Sequence, residues 1–355
     1  MLDGGGREDL ELSGAQPYLV TGASGHVGAN LMRRLLADRA QVRAVVRHGS
    51  DNRGVDGLPV ERVYCDVRDA GALEAAARGC RGVFHCALPC PGAGRGAEER
   101  RLTFETHVLG TRNVVHAALR AGVPRVVVVG SLLAGGRERS EASLPTHEEV
   151  PFDPFERRTA AAITLAQAEA ECWRAAAQGL QVIVAACGVA VGPHDYKPSL
   201  IGRLLIAHAR GRLRVFVPGG FEFIGVDDLT AGLCLAMARG RPGAKYLLSS
   251  EYLTIEGLLE RFEAATVVPR ARVRLPSRLG EGLALARGLL GGERLSPWVI
   301  RTLRMRLRAD TGRARGELGF RPAPVQESIR RAYEHFLERG VLAPPRARAA
   351  ARPAG

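Results

Sequence analysis

Three glycines, each three residues from the next, follow a short apolar run near the start of the chain. The run is Tyr18 to Val20, and residues 21–28 read Thr-Gly-Ala-Ser-Gly-His-Val-Gly. In a strand–turn–helix unit the first glycine allows a tight turn, the second lets backbone approach a pyrophosphate, and the third lets helix pack on strand. The start of the helix adds unpaired N–H groups and a partial positive charge. The segment predicts a dinucleotide-binding turn, in which the contacting residues are Gly22, Ser24, Gly25, His26, Val27 and Gly28.

The end of the second strand-like segment indicates which dinucleotide is bound. An acidic residue there would bind the ribose 2′-hydroxyl of NAD, but this chain has Arg47-His48-Gly49-Ser50 and no acid before Asp51. A guanidinium at this point suits the 2′-phosphate of NADP. The alternative is that Arg47 is an ordinary exposed arginine. The sequence favours NADPH and NADP⁺ as the cofactor pair.

Composition argues against several other classes of partner. The 355 residues carry a formal net charge of +13, but all of the basic residues except Lys197 and Lys245 are arginines, and aromatic residues make up 5%. The arginines are scattered rather than clustered with aromatics, so we interpret them as surface charge and expect no nucleic-acid partner. There is no run of about 18 uncharged apolar residues and no secretory signal, so no membrane contact is expected.

The seven cysteines do not form a recognisable framework. Their number is odd and no Cys-x-x-Cys occurs. This pattern argues against paired disulfides and against a zinc site. Most of them lie in apolar runs, where a thiol behaves as a small core residue. We expect a reducing, cytoplasmic setting and no metal.

Strand-like and helix-like segments alternate over the first 190 residues. The strand-like segments are nearly continuous apolar runs, which is typical of parallel strands covered on both faces by helices. The predicted fold class is α/β, with a Rossmann-type doubly wound parallel sheet over residues 17–190. The predicted strands are 18–20, 41–46, 60–64, 82–85, 125–129 and 182–186, and the predicted helices are 27–37, 70–78, 101–121 and 159–178.

The pattern is looser over residues 191–340 and predicts a smaller C-terminal α/β lobe that binds substrate. A hairpin is predicted over Val215–Val226, around Pro218-Gly219-Gly220, and Asp227-Asp228 is predicted to cap the next helix. Residues 1–16 and 341–355 are predicted to be disordered tails. The other predicted elements are a strand at 246–249 and helices at 201–210, 254–265, 281–290 and 325–339.

Several further motifs accompany the glycine turn. They are Cys65-Asp66-Val67-Arg68-Asp69, Val83-Phe84-His85, Gly110-Thr111-Arg112-Asn113-Val114, Gly192-Pro193-His194-Asp195, Lys197-Pro198-Ser199, Val226-Asp227-Asp228 and Glu317-Leu318-Gly319-Phe320-Arg321-Pro322. With these motifs, residues 17–340 resemble the extended short-chain dehydrogenases/reductases. The resemblance is nearest to the dihydroflavonol-reductase-like branch, which includes hopanoid-associated sugar epimerases.

The resemblance implies roles for residues at the strand ends. It places Asp66 and Val67 near the adenine, and Cys86 and Ala87 beside the cofactor ribose. It places the segment after the sixth strand, Cys187-Gly188, near the nicotinamide. It also implies a catalytic serine after the fifth strand, which is Ser131 here. The alternative is that Ser131 is a turn serine that closes the strand.

The catalytic tyrosine and lysine of that family are not found at their expected positions. The family carries them four residues apart on the helix before the sixth strand, so that they share one helix face. Those positions are Ala161 and Leu165 here, and no tyrosine or lysine lies between residues 132 and 180. A positioned general acid is worth roughly 10²–10⁴ in rate. The family's usual asparagine before Val-x-Gly-Thr is His107, a further departure.

A ketone reductase is the function that we expect from an intact cofactor site without that pair. Hydride transfer needs above all a cofactor held in line with a carbonyl. A ketone beside a phenol is already hydrogen-bonded internally, as in aromatic polyketides. The chain resembles angucyclinone ketoreductases of the family that lack the tyrosine and lysine. The sequence predicts an NADPH-dependent ketoreductase acting on an angucyclinone-like ketone in antibiotic biosynthesis. Substrate phenol, Ser131 or water would supply the proton.

Two other functions and several pocket residues stay open at this point. The chain is alternatively a non-catalytic NADP(H)-binding sensor or scaffold, or an enzyme resembling sugar-nucleotide epimerases. His194 and Tyr196 are candidate substrate-pocket residues, and Tyr196 is also a candidate proton donor. Phe223 is a candidate for stacking on a flat substrate, although core packing explains it equally well. The oligomeric state is open.

Overall fold

A seven-stranded parallel sheet forms the centre of the computed structural model, which describes residues 12–87, 97–136, 145–153, 155, 160–276, 302 and 306–343. The strand order in this sheet is β10-β6-β5-β4-β1-β2-β3. The predicted Rossmann-type α/β class is confirmed. The strands are β1 Gly14–Thr21, β2 Ala40–Val46, β3 Glu61–Tyr64, β4 Gly82–His85, β5 Arg125–Ser131, β6 Gln181–Cys187, β7 Val189–Val191, β8 Val215–Phe216, β9 Gly220–Gly225, β10 Lys245–Leu248, β11 Glu251–Thr254 and β12 Val273–Arg274.

Helices cover both faces of this sheet, and polar side chains begin three of them. Asp69, Ser199 and Thr254 each accept a hydrogen bond from a backbone N–H of the helix that follows, which pairs one of the donors left open at a helix start. The helices are α1 His26–Ala37, α2 Ala70–Ala77, α3 Ala97–Phe104, α4 Gly110–Arg120, α5 Ala160–Ala176, α6 Leu200–Ala209, α7 Val226–Arg239, α8 Ile255–Thr266 and α9 Gln326–Glu338. None of the helices in the described ranges is long and apolar enough to cross a membrane.

The helix predicted over residues 101–121 is interrupted by a π-helical turn. The turn is Glu105–Leu109, and it joins α3 to α4. His107 lies in it and is fully buried. π-helical turns within α-helices are often found at functional sites.

The strand interiors explain why the sheet is buried on both faces. Phe84 packs on one face of β4 and Val83 on the other, and both are 0% exposed. A second apolar cluster lies under α6, α8 and α9. The apolar runs of the sequence therefore correspond to strands with two covered faces.

Residues beyond the predicted boundary at residue 190 also belong to the central sheet and to its apolar core. β10 pairs in parallel with β6, so Lys245–Leu248 extends the dinucleotide-binding sheet. α7 packs against α1, β5 and β6, and Phe320 lies in the same apolar cluster as Phe84. A parallel neighbour needs a long crossover connection, which α7 and the chain before it supply. The segment assigned to the substrate lobe therefore contributes β10, α7 and the core residue Phe320 to the first domain.

The predicted hairpin over Val215–Val226 is wrong. β8 pairs with β12, whereas β9 lies between β7 and β11 in a separate three-stranded sheet. Pro218-Gly219 is a connection between sheets and not a hairpin turn. Asp227 and Asp228 lie within the first turn of α7, and the residue at its N-cap is Gly225.

The predicted tails are partly ordered or lie outside the described residues. Leu12 is 2% exposed in the core, and β1 begins at Gly14, so the ordered chain starts before residue 17. Leu342 is also buried. The predicted helix at 281–290, Cys90, residues 1–11 and residues 344–355 lie outside the described ranges.

Arg125 provides a test of the attachment of α7 to the sheet. Its guanidinium donates to the carbonyl oxygens of Met237 (2.6 Å) and Gly240 (2.8 Å) at the end of α7. Because charged hydrogen bonds contribute roughly 1.5–3 kcal/mol each, Arg125→Ala is expected to lower the free energy of unfolding by about 2–3 kcal/mol, measured by urea denaturation. Arg78→Ala, in an exposed pair with Glu74, is the control, with an expected change under about 1 kcal/mol. Equal losses of unfolding free energy in the two variants would contradict the role of Arg125 in attaching α7 to the sheet.

Candidate functional site

The glycine turn is built so tightly that no side chain fits at two of its positions. Gly22 has φ of +69°, and a Cβ on it would lie 2.6 Å from Ala87 N and from the carbonyl oxygen of Cys86. A Cβ on Gly28 would overlap the carbonyl oxygen of Gly22 and lie 2.9 Å from Cα of Ala23. The start of α1 and the end of β4 therefore meet at this turn, as dinucleotide binding requires.

A buried hydrogen-bonded histidine supports the turn from behind. Nδ1 of His85 lies 2.6 Å from Oγ1 of Thr21, and Nε2 lies 3.1 Å from Oγ1 of Thr111 on α4. Thr111 in turn donates to the carbonyl oxygen of His107. All of these residues are 0% exposed. The network links the first residue of the turn to the π-helical turn.

Several residues predicted to contact the adenosine lie together at the ends of β2 and β3. Arg47 NH1 is 3.7 Å from Oδ2 of Asp66, and the Arg47 side chain is 61% exposed. Hydrogen bonds from Arg68, together with the charge of Arg47, lower the pKa of Asp66. Val67 is buried, and Asn113 donates to its carbonyl oxygen. Asp66 also lines a groove between this edge and α4, with a volume of about 710 Å³.

The loop after β7 lies along α1 and reaches the same edge. The carbonyl oxygen of Pro193 is bonded to Nε2 of His26 (3.1 Å) and accepts from Nδ2 of Asn30 (2.9 Å). One turn further along α1, Arg33 donates to the hydroxyl of Tyr196 at 3.3 Å. Positions 26, 30 and 33 share one helix face. This face of α1 therefore holds the loop, and the His26 ring takes part through its bond to Pro193.

Lys197 follows directly on this loop and lies over the glycine turn. Its Nζ is 2.9 Å from Oγ of Ser24 in the turn and 3.3 Å from Oγ of Ser50 after β2. The sequence marks Lys197 as one of two lysines in an arginine-rich chain and as the start of the motif Lys197-Pro198-Ser199. Its position next to the turn follows from the contacts of the loop with α1, which spacing does not reveal.

His194 and Tyr196 lie against α1 and α9. The Tyr196 ring packs under the guanidinium of Arg339 (4.5 Å) and edge-on against His335 (5.3 Å), and the His194 ring also contacts His335. Burial lowers the pKa of His194 to about 3, with smaller contributions from neighbouring cations. These contacts hold the loop. They do not bring Tyr196 to β5, where the proton donor was expected.

Phe223 does not fit the predicted contact with a flat substrate. It lies in β9, is 1% exposed and packs in the second apolar cluster with Phe216 and Phe221. A ring without an exposed face cannot stack on a ligand. Core packing, the alternative considered from the sequence, describes this residue.

Ser131 and Cys187 lie opposite one another at the ends of β5 and β6. The Ser131 hydroxyl accepts a hydrogen bond from Leu133 N at 3.3 Å, so its hydrogen is not used in that contact. The Cys187 thiol donates to the carbonyl oxygen of Gly130, and burial raises its pKa to about 12, which keeps it protonated. Ser131 is the more suitable of the two as a proton donor to a carbonyl.

Ala161 and Leu165 make the neighbouring face of α5 apolar. They are 6% and 7% exposed, and Leu165 packs with Leu132 and Leu133. One turn further, Glu169 forms a buried ion pair with Lys245 of β10 at 2.7 Å. Burial raises the pKa of Glu169 and Lys245 lowers it. Sequence reasoning missed this pair because Lys245 comes from a strand assigned to the other lobe.

Gly28→Ala tests the turn. Because the new Cβ would overlap backbone atoms that cannot move aside, we expect a loss of about 1–3 kcal/mol in the free energy of unfolding and weaker binding of NADP⁺ and NAD⁺, measured by calorimetry. Gly71→Ala is the control, since its Cβ would meet only Asp69 Oδ1 at an ordinary 3.7 Å. Unchanged dinucleotide affinity in Gly28→Ala would contradict the assignment.

The burial of His85 predicts that the folded protein loses stability in acid. Burial lowers the pKa of His85 from 6.5 to about 3, so between these values the unfolded chain binds a proton that the folded chain does not. Stability is therefore expected to be unaffected above about pH 6.5 and to fall below it, by up to about 1.4 kcal/mol per pH unit from this residue. His85→Gln, compared by urea denaturation across this window, should show a shallower dependence. Thr111→Val should lower stability but keep the slope. An unchanged slope in His85→Gln would contradict this account.

Comparisons with known proteins agree with this geometry. The NAD dependent epimerase/dehydratase family model matches residues 18–248. "Sterol demethylase protein B" of Methylococcus capsulatus is 39% identical over 331 residues, covering 91% of this chain and 99% of that protein. A Stigmatella aurantiaca protein, named 4-hydroxy-2-methyl-3-oxo-4-farnesyl-3,4-dihydroquinoline-1-oxide ketoreductase, is 30% identical over 280 residues, covering 74% of this chain and 79% of that protein.

A solved structure shares nearly the entire fold. The crystal structure of gox2253 has a TM-score of 0.80 at 28% identity, covering 92% of this chain and 99% of that one. The turn, the parallel sheet and these relatives agree on an NAD(P)-dependent oxidoreductase of the extended short-chain dehydrogenase/reductase type. The chain belongs to the NAD-dependent epimerase/dehydratase family.

Proposed function

We propose that this protein is an NADPH-dependent ketoreductase that acts on a ring ketone of an apolar polycyclic substrate without a tyrosine–lysine pair. The observation that carries the proposal is the combination of a complete dinucleotide turn with an apolar α5 face. Ala161 and Leu165 are buried there, and Ser131 provides a hydroxyl at the adjoining strand end.

The preference for NADPH is supported by the residues after β2. Arg47 presents a largely exposed guanidinium at the end of this strand, 3.7 Å from Asp66. The guanidinium matches phosphate oxygens in bidentate geometry. The first acid along the chain, Asp51, is held by Arg53 through both of its oxygens. A carboxylate engaged in this way is poorly placed to accept a ribose 2′-hydroxyl.

The protein's contribution to the reaction is mainly positioning. When bound, the nicotinamide group supplies the hydride. The residues of the chain hold the pyrophosphate at the turn of Gly22, Gly25 and Gly28, exclude water at α5, and offer the Ser131 hydroxyl to a carbonyl oxygen. A ketone flanked by a phenol carries its own hydrogen-bond donor, which lowers the demand on a protein acid.

Two substrate classes are compatible with the apolar face of α5. The phenol-flanked ketone of an aromatic polyketide fits the missing acid best, and the relative from Stigmatella is named as a ketoreductase of an oxo-dihydroquinoline. A sterol ring ketone is the second candidate, because the relative at 39% identity is named for sterol demethylation. The two classes differ in whether the substrate provides the proton.

The test is reduction by NADPH of a phenol-flanked polycyclic ketone, its methyl ether and a sterol ring ketone, followed by cofactor absorbance and mass spectrometry of the alcohol. We expect the phenol to be reduced, and the ether to react roughly 10²–10⁴ times more slowly because it lacks the internal donor. Ser131→Ala should change the rate with the phenol less than about tenfold and the rate with the ether more.

Other outcomes point to the alternatives. Rapid reduction of the sterol ketone with a large effect of Ser131→Ala would favour the second substrate class. Binding of NADPH with no ketone reduced would favour a sensor or scaffold protein. Tightly copurifying NAD with turnover of a sugar nucleotide would favour an epimerase. Equal rates for phenol and ether would contradict a substrate-supplied proton.

A further inference from the structure

Lys197 is the cation that comes from outside the first 190 residues to contact the dinucleotide turn. Its Nζ lies 2.9 Å from Oγ of Ser24 and 3.3 Å from Oγ of Ser50. Ser24 belongs to the turn and Ser50 to the loop after β2, so the ammonium group joins the two segments that flank the adenosine position. A serine hydroxyl accepts from Lys197 here but donates to an anion equally well.

The charges around this ammonium group are incompletely balanced. The acid whose charge acts on it is Asp51, and Arg53 bonds both oxygens of Asp51 at 2.9 and 2.6 Å. Loss of hydration lowers the pKa of Lys197, the charge of Asp51 raises it, and the charge of Arg47 makes a smaller lowering contribution. Lys197 is exposed, and both of its hydrogen-bond partners are neutral serine hydroxyls. An anion between Lys197 and Arg47 would balance these charges.

The loop that carries Lys197 is fixed in place by other contacts. Pro193 is bonded to His26 and Asn30 of α1, and Tyr196 lies between Arg33 and Arg339. Asp195 accepts from the backbone of Ser199 at 2.7 Å, just after the lysine. Lys197 therefore does not hold the loop by itself, and its position over Ser24 is imposed by its neighbours.

We propose that Lys197, together with Ser24 and Ser50, binds the 2′-phosphate of NADP(H) opposite Arg47, so that the loop after β7 selects the cofactor. This inference rests on the NADP preference in the proposed function and adds a residue from beyond the sixth strand to it. Charge-assisted hydrogen bonds to phosphate are among the stronger contacts that a side chain makes. The proposal assigns Lys197 no contact with the 5′-phosphate or the adenine.

The test measures the binding of two small probes by calorimetry, independently of activity. Adenosine 2′,5′-bisphosphate carries the 2′-phosphate, and 5′-AMP lacks it. Lys197→Met, which keeps the aliphatic stem, is expected to weaken binding of the bisphosphate roughly 10- to 100-fold and to leave 5′-AMP within about twofold. Lys197→Arg should recover most of the difference.

Arg212→Ala is the matched control. Arg212 is exposed and lies beyond the far end of α6, whose ten residues separate it from Lys197 by about 15 Å. The substitution removes one positive charge from the same lobe and should leave the affinity for both probes unchanged. A similar loss in Arg212→Ala would attribute the effect to overall charge and overturn the proposal.

The remaining outcomes separate this inference from the proposed function. If wild type binds both probes equally, the NADP preference itself fails, and the role of Lys197 fails with it. Another outcome is that wild type prefers the bisphosphate, while Arg47→Ala weakens binding of the bisphosphate and Lys197→Met leaves that binding unchanged. In that case only the role of Lys197 is overturned. If Lys197→Met weakens both probes equally, the lysine supports the turn and does not select the cofactor.

Discussion

The close approach of β1, β4 and α1 at the glycine turn is the constraint on which the rest of the site depends. A side chain at Gly22 would collide with the backbone of Cys86 and Ala87, and one at Gly28 with that of Gly22. The bond from His85 to Thr21 holds β4 at this distance. Because backbone atoms fill the space, only this tight packing leaves the N–H groups of α1 facing a pyrophosphate.

The same helix also connects the two parts of the chain. α1 packs on the sheet through its apolar face and holds the loop after β7 through His26, Asn30 and Arg33. One element thereby fixes both the phosphate turn and the segment that ends at Lys197. A cofactor bound at the turn would contact residues from both parts, so its binding energy would stabilise their arrangement.

The catalytic end differs because apolar side chains occupy the two positions of α5 where the family resemblance implies a tyrosine and a lysine. At those positions Ala161 and Leu165 pack against apolar neighbours, and the ionised pair on that face, Glu169 and Lys245, lies one turn deeper. Lys245 bonds Oε2 of Glu169, and the buried Oε1 of Glu169 has no hydrogen-bond partner among the described residues. Under the proposed function, this arrangement places the chemical demand on Ser131 and on the substrate.

The sequence by itself determined the glycine turn, the alternation of strands and helices, and the absence of tyrosine and lysine between residues 132 and 180. These features are local, since turn chemistry and apolar periodicity act over a few residues. Tertiary structure alone decided that β10 joins the first sheet, that β8 and β9 do not form a hairpin, and that Lys197 lies over Ser24. Each of these depends on contacts between segments far apart in the chain, and neither spacing nor composition records such contacts.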